Sequence, residues 1–200
     1  MMKVLCDIDE EKIEIKEFPI PEIIEERDVI VEITYDLLCI TDIHIVKGKV
    51  PRVKKGIILG QEGLGIVNKI KKLKICDHVS INCIIFSGNY YFCKKGFIKN
   101  CAWDGWEISC RINATPAKYV WIPLAEYSLN KITNEKNENS NDKDYLFVGD
   151  ALTSSYFGIN LGEIKKDDIF GVIGCGPVGL CSLICGKMKG REINSFWYWR

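Results

Sequence analysis

Two short stretches of the sequence hold residue types that bind metal ions and carry protons in enzymes. Cys-Ile-Thr-Asp-Ile-His occupies positions 39–44, and Gly-Gln-Glu-Gly-Leu-Gly-Ile-Val occupies positions 60–67. Thiolates, imidazoles and carboxylates are the usual zinc ligands, and a hydroxyl close to an imidazole can pass a proton to solvent. Each of these residues alone is better explained as a buried thiol or a solvated side chain. The prediction of a site therefore depends on their combination.

A third stretch, Gly-Cys-Gly-Pro-Val-Gly at 174–179, has the spacing of a phosphate-binding turn. It follows a buried strand predicted at 168–173 and opens a helix predicted at 177–188, which is the context that gives this weak motif its meaning. The glycines permit a tight turn, and the free N–H groups at the helix start can bind a pyrophosphate. We predict dinucleotide binding by Gly174, Gly176, Pro177, Val178 and Gly179. The acidic residue expected about twenty residues later is missing, since residues 193–200 contain no acid.

The bulk composition excludes several classes of partner. Lys plus Arg and Asp plus Glu number 27 each, so net charge indicates no nucleic-acid partner. No apolar run reaches the roughly 18 to 20 residues that span a membrane. Acidic residues come too early for a secretory signal, so we expect a cytoplasmic protein whose ten cysteines are thiols.

The elements that must position these motifs are mostly short strands separated by Pro and Gly. The β-branched runs lie at 12–15, 28–33, 57–59, 65–70, 79–85 and 118–122. Many short strands with little helix predict a mainly β fold, a barrel or a sandwich. After a polar, Asn-rich loop at 130–144, a helix over 145–161 and the strand–turn–helix at 168–188 predict an α/β unit. We place the first domain at 1–150 and the second at 151–200.

On the motifs at 39–44, 60–67 and 174–179, the sequence resembles the zinc-dependent medium-chain alcohol dehydrogenases. The resemblance implies a GroES-like β-barrel followed by an incomplete Rossmann unit. It further implies that Cys39, Glu62 and Asp150 hold the catalytic zinc, with Glu62 as a ligand or a nearby carboxylate. Thr41 and His44 would relay the proton of the alcohol. The implied substrate is a small alcohol or polyol, the cofactor is NAD or NADP, and full-length relatives commonly form homo-oligomers.

Several positions depart from the family pattern. Gln61 stands where the family has a ligand histidine, and a neutral carboxamide is a poor zinc donor, so we predict weakened zinc binding. Relatives with a structural zinc use four cysteines in the lobe at 87–101. Here Cys93 and Cys101 remain, but Ser87 and Tyr90 replace the first two, so we predict that these residual positions are empty. Cys83 and Cys110 could substitute but are better explained as core residues.

Further departures lie at 67–76 and at the end of the sequence. Cys76 replaces a turn glycine, and the stretch before it is short. The closing residues 191–200, with Phe196 and Trp197, are not typical of the β-branched second Rossmann strand. We interpret the chain as truncated and hypothesise a frameshift or premature stop near residue 190. The alternative to an impaired dehydrogenase is therefore a non-catalytic remnant without stable zinc or cofactor binding. A stand-alone binding barrel explains neither motif.

Overall fold

The computed structural model describes residues 1–9, 11–70, 77–102, 105, 108–132, 142–165, 168–190 and 196–197. The chain divides into two compact units, Met1–Leu146 and Phe147–Arg200. The domain boundary predicted at residue 150 stays a prediction, and this division lies four residues before it. Cys76, most of the polar loop at 130–144 and most of the closing segment lie outside the described residues.

The first unit is built from two antiparallel sheets. Strands β1 (Met2–Asp9) and β2 (Lys12–Phe18) form a hairpin. The strands of the larger sheet are β3 (Val29–Leu37), β4 (Glu62–Ile70), β5 (His78–Ile81), β6 (Tyr119–Ile122) and β7 (Leu129–Lys131). They lie side by side in the order β6-β3-β4-β5-β7. Three short α-helices join them, α1 (Ile40–Val46), α2 (Tyr91–Lys94) and α3 (Ala125–Ser128), together with a 3-10 helix at Ile98–Asn100.

A large apolar core holds the strands of the first unit together, and Ile45, Ile57 and Leu59 form a second, smaller cluster. Alternate residues of the strands face the large core, because successive side chains of a strand point to opposite sides of a sheet. Val31, Val67, Val79 and Val120 from four neighbouring strands are all at most 3% exposed and belong to this core. The hairpin joins the same core through Val4, which bridges to Ala117. The β-rich fold class predicted from the sequence is confirmed.

Three local predictions in the first unit were wrong in detail. The apolar run at 57–59 is not a strand. It forms an isolated bridge between Ile58 and Cys6, with one hydrogen bond to β1 on either side of it. The strand predicted at 79–85 ends at Ile81. The stretch from Ile40 to Val46, within the region read as strands, is a helix whose start is fixed by a side-chain cap.

The second unit contains a short α/β arrangement. A 3-10 helix at Asp142–Gly149 leads from the first unit into α4 (Ala151–Leu161), so the single helix predicted at 145–161 is two elements. Strand β8 (Val172–Ile173) is shorter than the strand predicted at 168–173, and the predicted burial was wrong, since Ile173 is 86% exposed. Helix α5 (Pro177–Met188) matches its prediction. Strand β9 (Phe196–Trp197) pairs with β8 in parallel.

The closing segment, judged untypical of the second Rossmann strand, nevertheless contributes the two-residue strand β9. Phe196 pairs with Val172 and Trp197 with Ile173, and aromatic residues are as common in strands as β-branched ones. The order strand, helix, parallel strand is that of a βαβ unit. Across the described parts of both units, no helix is long and apolar enough to cross a membrane.

Candidate active site

The start of helix α1 fixes the position of the Cys39 thiol. Cys39 is the N-cap residue, with extended backbone at φ −116° and ψ 178°. Its Sγ accepts a hydrogen bond from the Thr41 N–H at 3.3 Å, and its own N–H donates to Asp42 Oδ2 at 2.9 Å. This reciprocal arrangement is a capping box, which satisfies N–H groups that the first helical turn leaves free. The cap holds the half-buried thiol at the helix start.

A glycine turn brings the second motif to the thiol. Gly60 has φ +80°, and a Cβ there would lie 2.5 Å from Pro116 Cδ, so both the conformation and the packing require glycine. The next residue, Gln61, is 5% exposed. Its Nε2 donates to Cys39 Sγ at 3.3 Å and to Thr41 Oγ1 at 3.4 Å. The structure thus joins the two sequence motifs at one point.

The residues of the first unit do not fit a zinc site of the family type. The Gln61 amide N–H groups are aimed at the Cys39 sulfur, whereas a metal ligand must present a lone pair to the ion. Burial raises the pKa of the Cys39 thiol, which disfavours the thiolate that zinc binds. Among the described residues, no three His, Cys, Asp or Glu side chains are grouped so that they could hold a metal ion.

The other predicted residues of this site have different surroundings. Glu62 begins β4 and is 3% exposed. Thr41 and His44 lie three residues apart on α1, a spacing that puts two side chains on one helix face, and His44 is exposed to solvent. Asp150 belongs to the second unit, where it is the N-cap residue of α4 and its Oδ1 accepts from Ser154 Oγ at 3.3 Å. The roles assigned to these four residues stay predictions.

The lobe at 87–101 is held by a hydroxyl–thiol contact. Ser87 Oγ lies 3.7 Å from Cys101 Sγ, and both residues are buried. Cys93 lies on α2, and Tyr90 is 43% exposed at the start of that helix. Cys110, weighed as a substitute ligand, is buried and accepts from Arg52 Nε at 3.4 Å. Whether the residual positions bind metal stays a prediction.

In the second unit, the glycine turn at 174–179 is shaped by close backbone packing. Gly174 has φ +104°, and Gly176 is the N-cap residue of α5, with Pro177 in the first turn. A Cβ on Gly179 would lie 2.0 Å from the Gly174 carbonyl oxygen, so the helix can start this close to the turn only with glycine there. The cofactor-binding role predicted for Gly174, Gly176, Pro177, Val178 and Gly179 stays a prediction.

Sequence reasoning missed two residues of the first unit's site. Asp42 was noticed only as part of the motif, although its spacing from Cys39 is that of a capping box, which was a usable signal. Asp42 is 3% exposed, and its Oδ1 accepts from the Gly60 N–H at 2.7 Å and from Ser109 Oγ at 3.1 Å. Ser109 is fully buried, and no local pattern marks it, because its partner lies far away in the sequence.

Comparison with known proteins identifies a family for most of the first unit. Residues 25–132, more than half of the chain, match the alcohol dehydrogenase GroES-like domain family. A zinc-type alcohol dehydrogenase-like protein of Schizosaccharomyces pombe is 31% identical over 192 residues, covering 84% of this chain and 44% of that protein. An uncharacterized zinc-type alcohol dehydrogenase-like protein of Bacillus subtilis is 29% identical over 193 residues, covering 89% and 50%.

Solved structures give the same fold. Alcohol dehydrogenase TADH from Thermus sp. ATN1 superposes with a TM-score of 0.87 at 24% identity, covering 98% of this chain and 57% of that one. Zinc-dependent alcohol dehydrogenase 2 from Streptococcus pneumonia gives 0.83 at 28% identity, covering 99% and 55%. The chain spans about half the length of the curated relatives it matches.

Proposed function

Since the chain belongs to the zinc-type alcohol dehydrogenases with a GroES-like domain, we propose that it is an oxidoreductase of that kind with impaired zinc binding. The reaction is reversible oxidation of a small alcohol or polyol, with hydride transfer to NAD or NADP. The observation that carries the proposal is the contact of Gln61 with both Cys39 and Thr41. It puts the two motifs of the family in one place and also shows what has changed there.

The chain's own residues account for the proton in this reaction. Oxidation of an alcohol releases a hydroxyl proton as well as a hydride, so a path to solvent is required. Thr41 Oγ1 is half-buried beside Gln61, and His44 is exposed one helical turn further on. We assign Thr41 to receive the proton from the alcohol oxygen and His44 to pass it to solvent.

The impairment follows from the chemistry of position 61. An imidazole offers zinc a nitrogen lone pair, whereas the Gln61 amide offers N–H groups that already serve the Cys39 sulfur. Within the first unit, a thiol and the Glu62 carboxylate remain, a harder donor set than one with an imidazole, which favours zinc less. We therefore assign lowered zinc affinity to the chain, rather than a different reaction.

A second candidate function is a non-catalytic family member that binds neither zinc nor cofactor stably. The same Gln61 contact supports it, together with the Ser87–Cys101 contact, because each puts a hydrogen bond at a position where the family resemblance expects a metal ligand. The two candidates differ in dinucleotide binding. Saturable binding of NADH or NADPH by the full chain supports the oxidoreductase, and absence of binding of either supports the second candidate.

Metal content tests the proposal directly. We expect wild-type protein purified with zinc to hold well below about one zinc ion per chain, and Gln61→His to hold about one, because the histidine restores a nitrogen donor. Gln61→Leu is the matched control, since it also removes the carboxamide but supplies no donor. Elemental analysis after dialysis gives the stoichiometry. Stoichiometric zinc in the wild type, or no gain in Gln61→His, contradicts the proposed impairment.

A further inference from the structure

We propose that Asp42 and Ser109 are positioning residues that hold the Cys39 thiol against the Gly60–Gln61 turn. The inference rests on the proposed function for the importance of Cys39 and Gln61. The contacts that carry it are independent of metal and cofactor. Neither residue is one of the predicted ligands or proton carriers, and Ser109 comes from a segment that neither motif includes.

The Asp42 carboxyl group joins three separate segments. Its Oδ2 accepts from the Cys39 N–H at 2.9 Å at the start of α1. Its Oδ1 accepts from the Gly60 N–H at 2.7 Å, on the turn before β4, and from Ser109 Oγ at 3.1 Å. Because Asp42 is only 3% exposed, water does not compete for these hydrogen bonds. One side chain therefore sets the distance between the thiol and the turn that carries Gln61.

Ser109 completes this arrangement from a constrained backbone position. Its φ is +63°, in the left-handed region that serine rarely adopts, and it is fully buried. Its N–H is bonded to the Ile112 carbonyl at 3.0 Å, which holds the residue in a tight turn. Glycine would suit this φ better, so the turn alone does not explain a serine. The contact that serine adds is the hydrogen bond from its hydroxyl to Asp42.

Loss of the Ser109 hydroxyl has a specific expected effect. Oδ1 of Asp42 would keep the Gly60 N–H but lose its second donor, and the carboxyl group could then rotate. Because the Cys39 and Gly60 bonds use opposite oxygens of one carboxyl group, rotation loosens both. The thiol would then lose its fixed contact with Gln61 Nε2. We expect this loosening at Cys39 and not at a thiol elsewhere in the unit.

Alkylation of the wild-type full chain tests this without any metal. Iodoacetamide labelling at one fixed pH, followed residue by residue by mass spectrometry, gives a rate for Cys39 and for Cys93, the internal reference on α2. Ser109→Gly should raise the Cys39 rate about tenfold, as expected for loss of one buried hydrogen bond, and leave the Cys93 rate unchanged. Its Tm should change little, because relief of the positive φ offsets the loss of one buried hydrogen bond.

A matched variant separates positioning from general destabilisation. Ser128→Ala removes another fully buried hydroxyl, which donates to the Pro123 carbonyl at 2.9 Å, and should leave the Cys39 rate unchanged. An unchanged Cys39 rate in Ser109→Gly overturns the inference. Equal rises at Cys39 and Cys93, or an equal effect of Ser128→Ala, overturn it too.

A second readout connects the inference to the proposed site. In the Gln61→His background, Ser109→Gly should weaken Co²⁺ binding about tenfold, measured from the thiolate–cobalt absorption band, as loss of an outer partner typically does. Equal Co²⁺ affinity with and without Ser109→Gly overturns the positioning role. If Gln61→His binds no Co²⁺ while the labelling result holds, the proposed function fails and the positioning inference stands.

Discussion

At the scale of single residues, the first unit carries a buried charge outside its candidate site. Asp7 lies on β1 at 7% exposure, and its Oδ1 has no hydrogen-bond partner among the described residues. Burial raises the pKa of this carboxyl group, the neighbouring Asp9 raises it further, and Lys55 lowers it. A group whose pKa is higher in the folded state than in the unfolded state favours folding when it is protonated. The first unit should therefore lose stability as Asp7 ionises.

We predict that Asp7→Asn stabilises the protein increasingly as the pH rises. Above the ordinary carboxyl pKa of 3.8 the unfolded chain ionises first, so the wild type loses stability with rising pH until the folded-state pKa is passed. The variant cannot ionise, so its advantage should grow from near zero at about pH 4 to about 1 kcal/mol at about pH 7.

Urea unfolding at a series of pH values measures this difference. Glu17→Gln, which removes an exposed carboxyl group from β2, is the control for loss of one negative charge. An Asp7→Asn advantage that is constant with pH, or equal to that of Glu17→Gln, would show that burial of Asp7 has no such cost.

Residue-level prediction from sequence succeeded where the chemistry is local. Cys39 and Gln61 were found because their motifs are contiguous, and the structure brings them within 3.3 Å of each other. Ser109 could not be found, because its importance comes from a hydrogen bond to Asp42 across 67 positions of sequence. Asp150 was assigned only through the family resemblance, and its role stays a prediction.

At the scale of elements, regular periodic segments were predictable and short irregular ones were not. Helix α5 matched because Gly176 and Pro177 mark its start and apolar residues continue through it. Helix α1 was missed, since a seven-residue helix rich in isoleucine has the composition of a strand. Its capping box decided the outcome. Strand β1 was missed because it is stabilised by pairing with β2, and its own sequence has only a weak strand pattern.

We predict that Gly179→Ala disrupts the turn at the start of α5. The new Cβ would lie 2.0 Å from the Gly174 carbonyl oxygen, and backbone cannot yield as a flexible side chain can. Overpacking of this kind costs about 1–3 kcal/mol, so amide exchange in the first turn of α5 should accelerate. Gly171→Ala is the control in the same unit, because its Cβ would meet no atom within 4 Å. Equal exchange rates in both variants would contradict the predicted clash.

At the scale of the whole molecule, the chemistry is divided between two units. The Cys39 thiol, the Gln61 amide and the proposed proton carriers Thr41 and His44 belong to Met1–Leu146, and the glycine turn belongs to Phe147–Arg200. The family resemblance seen in the sequence is confirmed by the match over residues 25–132. Substrate and cofactor preference could not be predicted, because they depend on side chains outside the motifs that identify the family.

We predict that a substitution in one unit changes only the binding property of that unit, zinc content for the first and dinucleotide affinity for the second. Gln61→His should raise zinc content and leave the dissociation constant for NADH or NADPH unchanged, since position 61 lies outside the glycine turn. Gly179→Ala should weaken dinucleotide binding about tenfold or more and leave zinc content unchanged. Elemental analysis gives the zinc content of each variant, and fluorescence titration gives its dissociation constant for the dinucleotide. A change in both properties from either substitution would contradict the predicted separation.

The left-handed backbone at Ser109 also limits which residue types can replace serine at this position. At φ +63°, glycine and asparagine are the replacements that cost least, and β-branched residues cost most. Where the hydrogen bond to Asp42 is not used, glycine could replace serine at little cost in stability. Glycine at the matching position of a related chain would therefore indicate that this bond is not used there.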